Sequence, residues 1–531
     1  MSKGDAGKGK PNEFGYYERW AWLFPVVVVL VACLAAWPAL SQPGLLNTRG
    51  GGDSPFLLQR LHQLTTALAD GHFPVRWMPD ANYGYGYPFY NYYAPLSIYV
   101  AAVFRFAGFS FVRAIHLAQL AGFVVAGLGA FHLGRRWLVS PWAGLLAAVA
   151  YTVAPFHLVN VYVRGDSLAE FWAMAFYPLV LLAADGLLGD GRPLTADGRR
   201  VSGRRVARPL ALFALAYAGL ILSHNISALI FSPFLLLYLG MRLWQRGSRG
   251  AGEQGREERS PPLPRSPAPL LLLALALAFA LSAWFFIPAL AEQALAQLGP
   301  VTEGYFHYSN HFRGLDLVQG RLLFDYNPDG GIAFRLGLAQ MGLAIGGAVT
   351  LFISYRRSVV GGRPSLHLWY ILVGALIALF MITPLSRFLW EHLPLLSFTQ
   401  FPWRFLSVAS FFLALLTGGL ARLPGRPAAP LVAGLGSLVL IAGGLLGLRV
   451  DHLILTDADV TAERLAQYEW FTGNIGTTVS AEYLTPAAQP RPWTSAWLNT
   501  GERDRAVALA GELHGAELLE RGAVRQVWAL D

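Results

Sequence analysis

Charged residues are scarce in this sequence. Asp, Glu, Lys and Arg make up 14% of its 531 residues, whereas hydrophobic residues make up 54%. A soluble globular domain carries about 25% charged residues. The composition therefore excludes a series of ordinary soluble domains, and a lipid bilayer is the solvent that suits this chain.

Cysteine is almost absent. Cys33 is the single cysteine and lies inside the first apolar run. This excludes an intrachain disulfide framework and a metal cluster built from cysteines. The alternating pattern of a membrane β-barrel is missing as well, so helices are the expected way to pair the backbone groups in hydrocarbon.

What the sequence does have is a series of apolar runs close to the bilayer-spanning length of about 20 residues. They predict an all-α polytopic membrane protein with about eleven transmembrane helices. The predicted spans are 20–40, 113–133, 141–161, 168–188, 208–224, 225–244, 267–288, 336–355, 367–385, 404–421 and 429–449.

The basic residues predict the topology. The formal net charge is +9, but Lys and Arg gather in short loops at alternate ends of the apolar runs. Such loops stay in the cytoplasm, so they predict a cytoplasmic N-terminus in a bacterial cell membrane, not a nucleic-acid partner. The transmembrane domain is expected over 1–449. Residues 450–531 would form a small extracytoplasmic tail or cap, in which TTVSAEYL and AVRQVWAL look like strands.

The same alternation of basic and non-basic loops predicts which loops are external, namely 41–112, 162–170, 289–335 and 386–403. The apolar segment from Ala94 to Phe106 is too short for a span. We interpret it as a re-entrant or interfacial helix in the long first external loop. A short true span is the alternative and would invert every later loop.

The predicted external loops hold 11 of the 32 acidic residues, and acids beside a membrane are functional candidates. Asp53, in RGGGDSPFLLQRL, is the strongest of them. It follows the first span by about a dozen residues, at the mouth of the membrane. The competing interpretation is that Asp53 or Ser54 caps the helix that Pro55 begins.

A first helix followed by a lone Asp in a long external loop resembles the GT-C superfamily of membrane glycosyltransferases. A later external loop of that superfamily often carries acids after an Arg, and VRGDSLAEFW supplies Arg164, Asp166 and Glu170. The chain is also similar to the bacterial membrane proteins called 6-pyruvoyl-tetrahydropterin synthase-related, a label that does not describe their chemistry. That similarity rests on the strings GGDSPFLLQRL, YGYGYPFYNYYAPLSIYV, VRGDSLAEF, SHNISAL, QFPWRFL and GTTVSAEYL.

The resemblance implies transfer of a sugar from a polyprenyl-phosphate donor to a lipid or glycan acceptor at the outer face, with inversion. Asp53 would be the general base. Arg164 and Arg404 would bind the phosphate, because guanidinium groups hold phosphate oxygens in bidentate fashion. Trp403 and Arg404 could instead anchor a helix among lipid head groups, and Arg164 could be a salt-bridge partner of the nearby acids.

Asp166 and Glu170 lie four residues apart, so on a helix they would share one face. They would orient Arg164, bind a sugar hydroxyl or hold a divalent cation with Asp53. Oligosaccharide-transferring members of the superfamily use a metal, whereas many that take one sugar from a lipid monophosphate do not. We expect no metal or other cofactor, with Mg²⁺ or Mn²⁺ as the alternative, because no H-x-x-H or D-x-D string occurs in these loops.

Other polar and aromatic residues of the external loops are substrate-binding candidates. Tyrosines such as Tyr83 and Tyr87 can stack on sugars, with an interfacial aromatic belt as an equal alternative. His224 separates two apolar runs and is either a site residue or part of a turn. His307 and Arg313 lie in a glycine-containing loop that would cover the substrate or merely connect two helices.

Two other functions compete with a glycosyltransferase. A transporter or flippase for a lipid or small solute would need charges deep in several helices and an internal repeat, and neither is visible. A non-catalytic scaffold for envelope assembly would be favoured if the acids were far apart in space.

Overall fold

The structure is a computed structural model. It describes residues 21–48, 54–189, 204–253, 268–357, 366–422, 428–488, 490–501, 516–522 and 526–530. Asp53, the proposed general base, lies outside the described residues. Its neighbour Ser54 lies within them.

Apolar runs fold as helices here because backbone N–H and C=O groups find no partners in hydrocarbon unless they pair within the segment. In the part of the chain that the structure describes, the helices are α1 Leu23–Leu40, α2 Pro55–Ala69, α3 Phe89–Tyr92, α4 Leu96–Phe106, α5 Phe111–Leu138, α6 Pro141–Thr152, α7 Pro155–Tyr162, α8 Leu168–Leu187, α9 Arg204–Ser223, α10 Asn225–Glu253, α11 Ala268–Ala291, α12 Leu338–Arg357, α13 Leu366–Ile382, α14 Arg387–His392, α15 Leu406–Gly418, α16 Ala428–Leu445, α17 Ala462–Thr472 and α18 Ala496–Thr500. The strands are β1 Leu45–Asn47, β2 Asp451–Leu453, β3 Ala516–Arg521 and β4 Gln526–Leu530.

These helices confirm an all-α polytopic membrane protein. Among the described residues, eight helices are long and apolar enough to cross a bilayer, or nine if the bent pair Leu366–Ile382 and Pro384–His392 is one span. Two further predicted spans correspond to the shorter apolar helices Ala207–Ser223 and Leu338–Ser354. The span predicted at 141–161 is α6 followed by α7, interrupted at Val153 and Ala154.

The segment from Ala94 to Phe106 contains the 11-residue helix α4, which begins after Pro95. At 1.5 Å per residue it is roughly 16 Å long, about half of the hydrocarbon thickness. It packs against α2 and α5, within the long connection between α1 and α5. Its length fits the interfacial or re-entrant helix that the sequence predicts.

Close helix contacts in the bundle depend on glycine. Gly144 on α6 faces the carbonyl of Phe131 on α5, and a Cβ atom at Gly144 would lie 2.8 Å from that oxygen. Small residues let transmembrane backbones approach in this way, where packing drives association.

The connections lie at two ends of the bundle. At one end, which we call the site end, Arg113 at the start of α5 donates to the carbonyl of Leu40 at the end of α1. Tyr326, from the connection between α11 and α12, donates to the carbonyl of Gly444 near the end of α16. The opposite end carries the junction between α5 and α6 and the end of α8. Which end faces the cytoplasm stays a prediction.

The residues after α16 return to the first long connection. Strand β2 pairs antiparallel with β1, with Leu46 opposite His452. Helix α17 follows and covers α2. The strand predicted over TTVSAEYL is wrong: Ile475–Thr477 is a 3₁₀ turn and the residues after it form bends and turns. The strand in AVRQVWAL is confirmed for its described part, where Gln526–Leu530 pairs with Ala516–Arg521.

Candidate active site

Five charged residues meet at the site end: Arg60, Arg164, Asp166, Glu170 and Arg404. We call them the arginine–carboxylate cluster. Arg60 comes from α2, Arg164 and Asp166 from the turn between α7 and α8, Glu170 from the first turn of α8, and Arg404 from the 3₁₀ turn Pro402–Phe405 that leads into α15. Three segments that are distant in sequence therefore build one site.

Glu170 is the centre of one half of the cluster. Its Oε2 accepts a hydrogen bond from Nη1 of Arg164 at 2.6 Å. The same oxygen lies 3.8 Å from Nε of Arg404. Glu170 is 1% exposed and Arg404 is 7% exposed. A buried carboxylate is stable only when paired, so Glu170 is a shared counter-ion for two arginines.

Two atoms in this half have no hydrogen-bond partner among the described residues, namely Oε1 of Glu170 and Nε of Arg404. Buried polar atoms without partners are uncommon, and each indicates an unseen water, ion or ligand, or a functional role. A bound substrate group could satisfy both atoms.

Asn160 and Ser167 hold Arg164 in place. Oδ1 of Asn160 accepts from Nη1 of Arg164 at 2.7 Å, and the Ser167 hydroxyl donates to the backbone carbonyl of Asn160 at 2.9 Å. Burial lowers the pKa of Arg164, but the carboxylates of Glu170 and Asp166 outweigh this and raise its pKa above the ordinary value. The guanidinium is therefore permanently charged.

The second half of the cluster is Arg60 with Asp166. Nη2 of Arg60 lies 3.3 Å from Oδ2 of Asp166, and Nη1 donates to the Asp166 backbone carbonyl at 2.8 Å. Asp166 precedes α8, so the expectation that it shares a helix face with Glu170 is wrong. Asp166 therefore pairs with Arg60, whereas Glu170, in the first turn of α8, pairs with Arg164 and Arg404.

Arg60 also joins the cluster to the residues after α17. Its Nε donates to Oγ1 of Thr477 at 3.0 Å, and its Nη1 donates to the hydroxyl of Tyr93 at 3.2 Å. The guanidinium stacks over the rings of Tyr93 and Phe89, 4.6 Å and 5.0 Å from their centroids. Arg60 was not among our predicted site residues, although a charged residue on the apolar helix FLLQRL is a signal that could have identified it.

Aromatic rings enclose the other two arginines. Arg164 lies 5.1 Å from the ring centroid of Trp403, and Arg404 lies 5.1 Å from that of Phe401. The two rings stack at 4.8 Å, and Phe334 stacks on the far side of Trp403 at 4.3 Å. Arginine is attracted to aromatic faces, and the rings exclude water from the charges.

His224 lies near the Glu170 half. Its Nδ1 accepts from the backbone N–H of Ser227 at 3.2 Å. Burial lowers the pKa of His224 to about 3, so the ring is neutral and Nε2 carries the proton.

The predicted tyrosines lie at the contact between the first long connection and the residues after α17. The backbone N–H of Tyr83 donates to Oε2 of Glu469 at 2.8 Å. The Tyr87 hydroxyl accepts from the backbone N–H of Tyr483 at 3.0 Å, and burial raises its pKa. Both side chains are buried.

His307 and Arg313 are placed elsewhere. His307 bonds to Ser309 in its own turn, and Nε of Arg313 donates to the carbonyl of Phe334 at 3.2 Å. Within the described residues, no hydrogen bond or ion pair joins either side chain to the arginine–carboxylate cluster. Phe334 therefore contacts both Arg313, through its backbone carbonyl, and the ring of Trp403.

Ser54 and Thr48 flank the part of the chain that contains Asp53. Their hydroxyl groups are 3.2 Å apart. A Cβ atom on Gly165 would lie 2.9 Å from the backbone nitrogen of Ser54. Ser54 occupies the N-cap position of α2 without a capping hydrogen bond from its side chain, and Pro55 begins the helix as expected; capping by Asp53 stays a prediction. Both flanking residues therefore lie against the turn that carries Arg164 and Asp166.

Comparison with known proteins finds distant similarities. No family model matches the chain. An uncharacterized protein of Lactococcus lactis subsp. cremoris (strain MG1363) is 26% identical over 246 residues, which are 46% of this chain and 36% of that protein. The chain thus spans less than two thirds of this relative.

Two solved structures align over most of the chain. ArnT from Cupriavidus metallidurans bound to undecaprenyl phosphate gives a TM-score of 0.46 at 15% identity, over 80% of this chain and 64% of ArnT. The Archaeoglobus fulgidus oligosaccharyltransferase in the apo form gives 0.47 at 16% identity, over 91% of this chain and 61% of that enzyme. The chain covers less than two thirds of each. We therefore base the proposed function on the residues of the site itself.

Proposed function

We propose that this protein is a membrane glycosyltransferase that moves a sugar from a polyprenyl-phosphate donor to an envelope acceptor at the extracytoplasmic face. The observation that carries the proposal is the charge balance of the arginine–carboxylate cluster. Three buried guanidinium groups face two carboxylates, so these five residues together carry one net positive charge. A sugar phosphodiester on a lipid brings one negative charge to the same end of the bundle.

Arg164 and Arg404 are the proposed phosphate ligands. As the bond between the anomeric carbon and the phosphate oxygen breaks, that oxygen keeps the electron pair and the phosphate gains negative charge. Fixed cations in a site that excludes water stabilise this developing charge strongly. Nε of Arg404, which lacks an acceptor, and the neutral His224 with its Nε2 proton are donors suited to the phosphate oxygens.

Asp53 is the proposed general base. It would take the proton of the acceptor hydroxyl while the acceptor oxygen bonds to the anomeric carbon. The proposal is supported by its flanking residue Ser54, which lies against Gly165 between Arg164 and Asp166. Inversion at the anomeric carbon comes only from the resemblance to the GT-C superfamily. The more specific likeness to the pterin-synthase-related membrane proteins rests only on the sequence strings they share.

Asp166 and Glu170 are proposed to set the geometry of the arginines rather than to hold a metal. Their carboxylate oxygens face Arg60, Arg164 and Arg404, which suits cation–carboxylate pairing. In the described part of the chain, no group of three or more His, Cys, Asp or Glu residues could hold a metal ion. Tyr83 and Tyr87 would shape the acceptor side, and His307 with Arg313 would belong to a covering loop.

Two measurements test this proposal. The first is binding of undecaprenyl phosphate to the purified protein in neutral detergent, with undecaprenol, which lacks the phosphate, as the control ligand. Arg404→Gln should weaken undecaprenyl phosphate binding roughly 10- to 100-fold, since a charge-assisted hydrogen bond contributes about 1.5–3 kcal/mol. Unchanged binding in both Arg404→Gln and Arg164→Gln would remove these arginines from the phosphate site.

The second measurement is release of undecaprenyl phosphate from a panel of undecaprenyl-phosphate monosaccharides, with envelope membranes as the acceptor source. Asp53→Asn should leave undecaprenyl phosphate binding intact and lower turnover by about 10²- to 10⁴-fold, the usual contribution of a general base. Turnover at the parent rate would refute the role of Asp53. Movement of the lipid across a bilayer without sugar transfer would favour the flippase instead.

A further inference from the structure

A second charged cluster lies at the opposite end of the bundle. Asp185, near the end of α8, is 2% exposed. Its Oδ1 accepts from the Tyr238 hydroxyl at 2.6 Å and lies 3.2 Å from Nη2 of Arg242 and 3.4 Å from Nε2 of His367. Its Oδ2 pairs with Nε of Arg136. The cluster therefore joins α5, α8, α10 and α13.

Asp185 does not balance the positive charge around it. Both of its oxygens are engaged, and among the described residues one carboxylate faces the two guanidinium groups of Arg136 and Arg242. Nε of Arg242 is buried and has no acceptor among the described residues. An uncompensated charge at a membrane boundary is costly, so an anion from outside the chain would stabilise this arrangement.

The surplus charge reaches the surface. The side chain of Arg136 is 45% exposed, whereas that of Arg242 is 10% exposed. Arg136 can therefore hold Asp185 with one edge of its guanidinium and still meet a ligand. A guanidinium is well suited to phosphate oxygens, which it binds in bidentate fashion.

Large apolar side chains are exposed beside these arginines. Val139 follows Arg136 and is 79% exposed, and Trp244 follows Arg242 and is 74% exposed. Exposed Trp and aliphatic residues next to Arg mark the level at which head groups meet hydrocarbon. A ligand that fits both features has a phosphate group and an acyl chain.

We propose that Arg136 and Arg242, held by Asp185, form a binding site for the phosphate of an anionic phospholipid. The site is separate from the arginine–carboxylate cluster, and it does not depend on the glycosyltransferase function. Basic sites between transmembrane helices bind anionic head groups in this way. The bound lipid would link the ends of α5, α8 and α10.

Native mass spectrometry of the full chain in neutral detergent, titrated with phosphatidylglycerol, tests this site. Arg136→Gln should weaken phosphatidylglycerol retention about tenfold, the equivalent of roughly 1.4 kcal/mol. Arg422→Gln is the matched control. Arg422 is exposed and lies at the same end of the bundle, because nearby Gly418 packs on Ala143 of α6. It should stay within about twofold of the parent. Equal retention by Arg136→Gln and the parent, or an equal loss in Arg422→Gln, would overturn the proposal.

A second variant and a competition experiment separate loss of lipid binding from loss of folding and from binding of free phosphate. Arg136→Lys keeps the charge beside Asp185, so it should fold even if Arg136→Gln does not. It loses the planar guanidinium, so it should bind phosphatidylglycerol several-fold more weakly than the parent does. Parent-like binding by this variant would exclude recognition by the guanidinium. Inorganic phosphate should not displace the lipid at equal concentration; displacement would assign the site to free phosphate and overturn the lipid assignment.

Discussion

Arg60 donates two hydrogen bonds to Asp166, one to its backbone carbonyl at 2.8 Å and one to its carboxylate Oδ2 at 3.3 Å. The two residues are 106 positions apart in sequence. This contact fixes the turn that carries Arg164, and Arg60 is itself fixed by Thr477. The position of one proposed phosphate ligand therefore depends on a residue that is not proposed to touch the substrate.

Arg60→Lys tests this dependence. Lysine keeps the positive charge but cannot reach both Asp166 atoms and Thr477 together, so we expect sugar transfer to fall at least tenfold, with undecaprenyl phosphate affinity reduced in parallel. Arg76→Gln is the matched control, because Arg76 lies on the same connection and is exposed. Parent activity in Arg60→Lys would show that the position of Arg164 does not depend on the contacts of Arg60 with Asp166 and Thr477.

Gly165→Ala should damage the site through the backbone. Gly165 has φ +69, and a Cβ atom there would collide with Thr48 and approach Ser54. Gly71→Ala is a close control, since Gly71 has φ +83 but no atom within 4 Å of a new Cβ. Both variants carry the left-handed strain of about 1–2 kcal/mol, so a transfer rate that drops only in Gly165→Ala reports the contact. Equal rates in the two variants would contradict it.

Glu170→Gln removes the shared counter-ion of Arg164 and Arg404. Breaking a buried ion pair from one side costs about 3–5 kcal/mol, so the melting temperature should fall clearly. Undecaprenyl phosphate would supply negative charge to the same arginines, and it should therefore raise the melting temperature of Glu170→Gln more than that of the parent. A smaller shift in the variant would argue against phosphate binding at this place.

Glu469 should make the stability of the contact between α17 and α2 depend on pH. Burial raises its pKa, although it accepts from Gln59, Tyr83 and Gly476. The folded state thus binds this proton more tightly than the unfolded state, so this residue favours folding most at acid pH and loses that effect as pH rises above about 4.5.

Unfolding free energies of the parent and Glu469→Gln, measured from about pH 4 to about pH 8, would reveal this effect. The parent should lose stability relative to Glu469→Gln as pH rises. Glu463→Gln, an exposed change on the same helix, controls for the loss of one charge. A parent that gains stability relative to Glu469→Gln over this interval would have the opposite sign of linkage.

The helical fold could be predicted from the sequence because each span is a local pattern of apolar residues. Arg164, Glu170 and Arg404 could be proposed for a similar reason, since charged residues at the ends of apolar runs are visible one at a time. A salt bridge between Arg164 and a nearby acid was also anticipated, and the Arg164–Glu170 pair confirms it; the other partners were not visible. The pairing of Arg60 with Asp166 and the shared use of Glu170 depend on packing between distant connections, which no local pattern encodes.

The strand expected in TTVSAEYL shows the same limit. Its β-branched and aromatic residues favour a strand, but Thr477 has φ +62 where it meets Arg60. The tertiary contact overrides the local preference. The residues of this string serve the site through their bonds to Arg60 and Tyr87, which only the fold brings near.

The pairing of Leu45–Asn47 with Asp451–Leu453 has a consequence for how the protein is made. About 400 residues separate these strands, and at roughly 5–20 residues per second a ribosome needs on the order of 20–80 s to synthesise them. Arg60 meets Thr477, and Gln59 meets Glu469, only after that interval. The first long connection therefore cannot complete its native contacts until residues 451–477 have been synthesised, and the arginine–carboxylate cluster gains its contact with Thr477 only then.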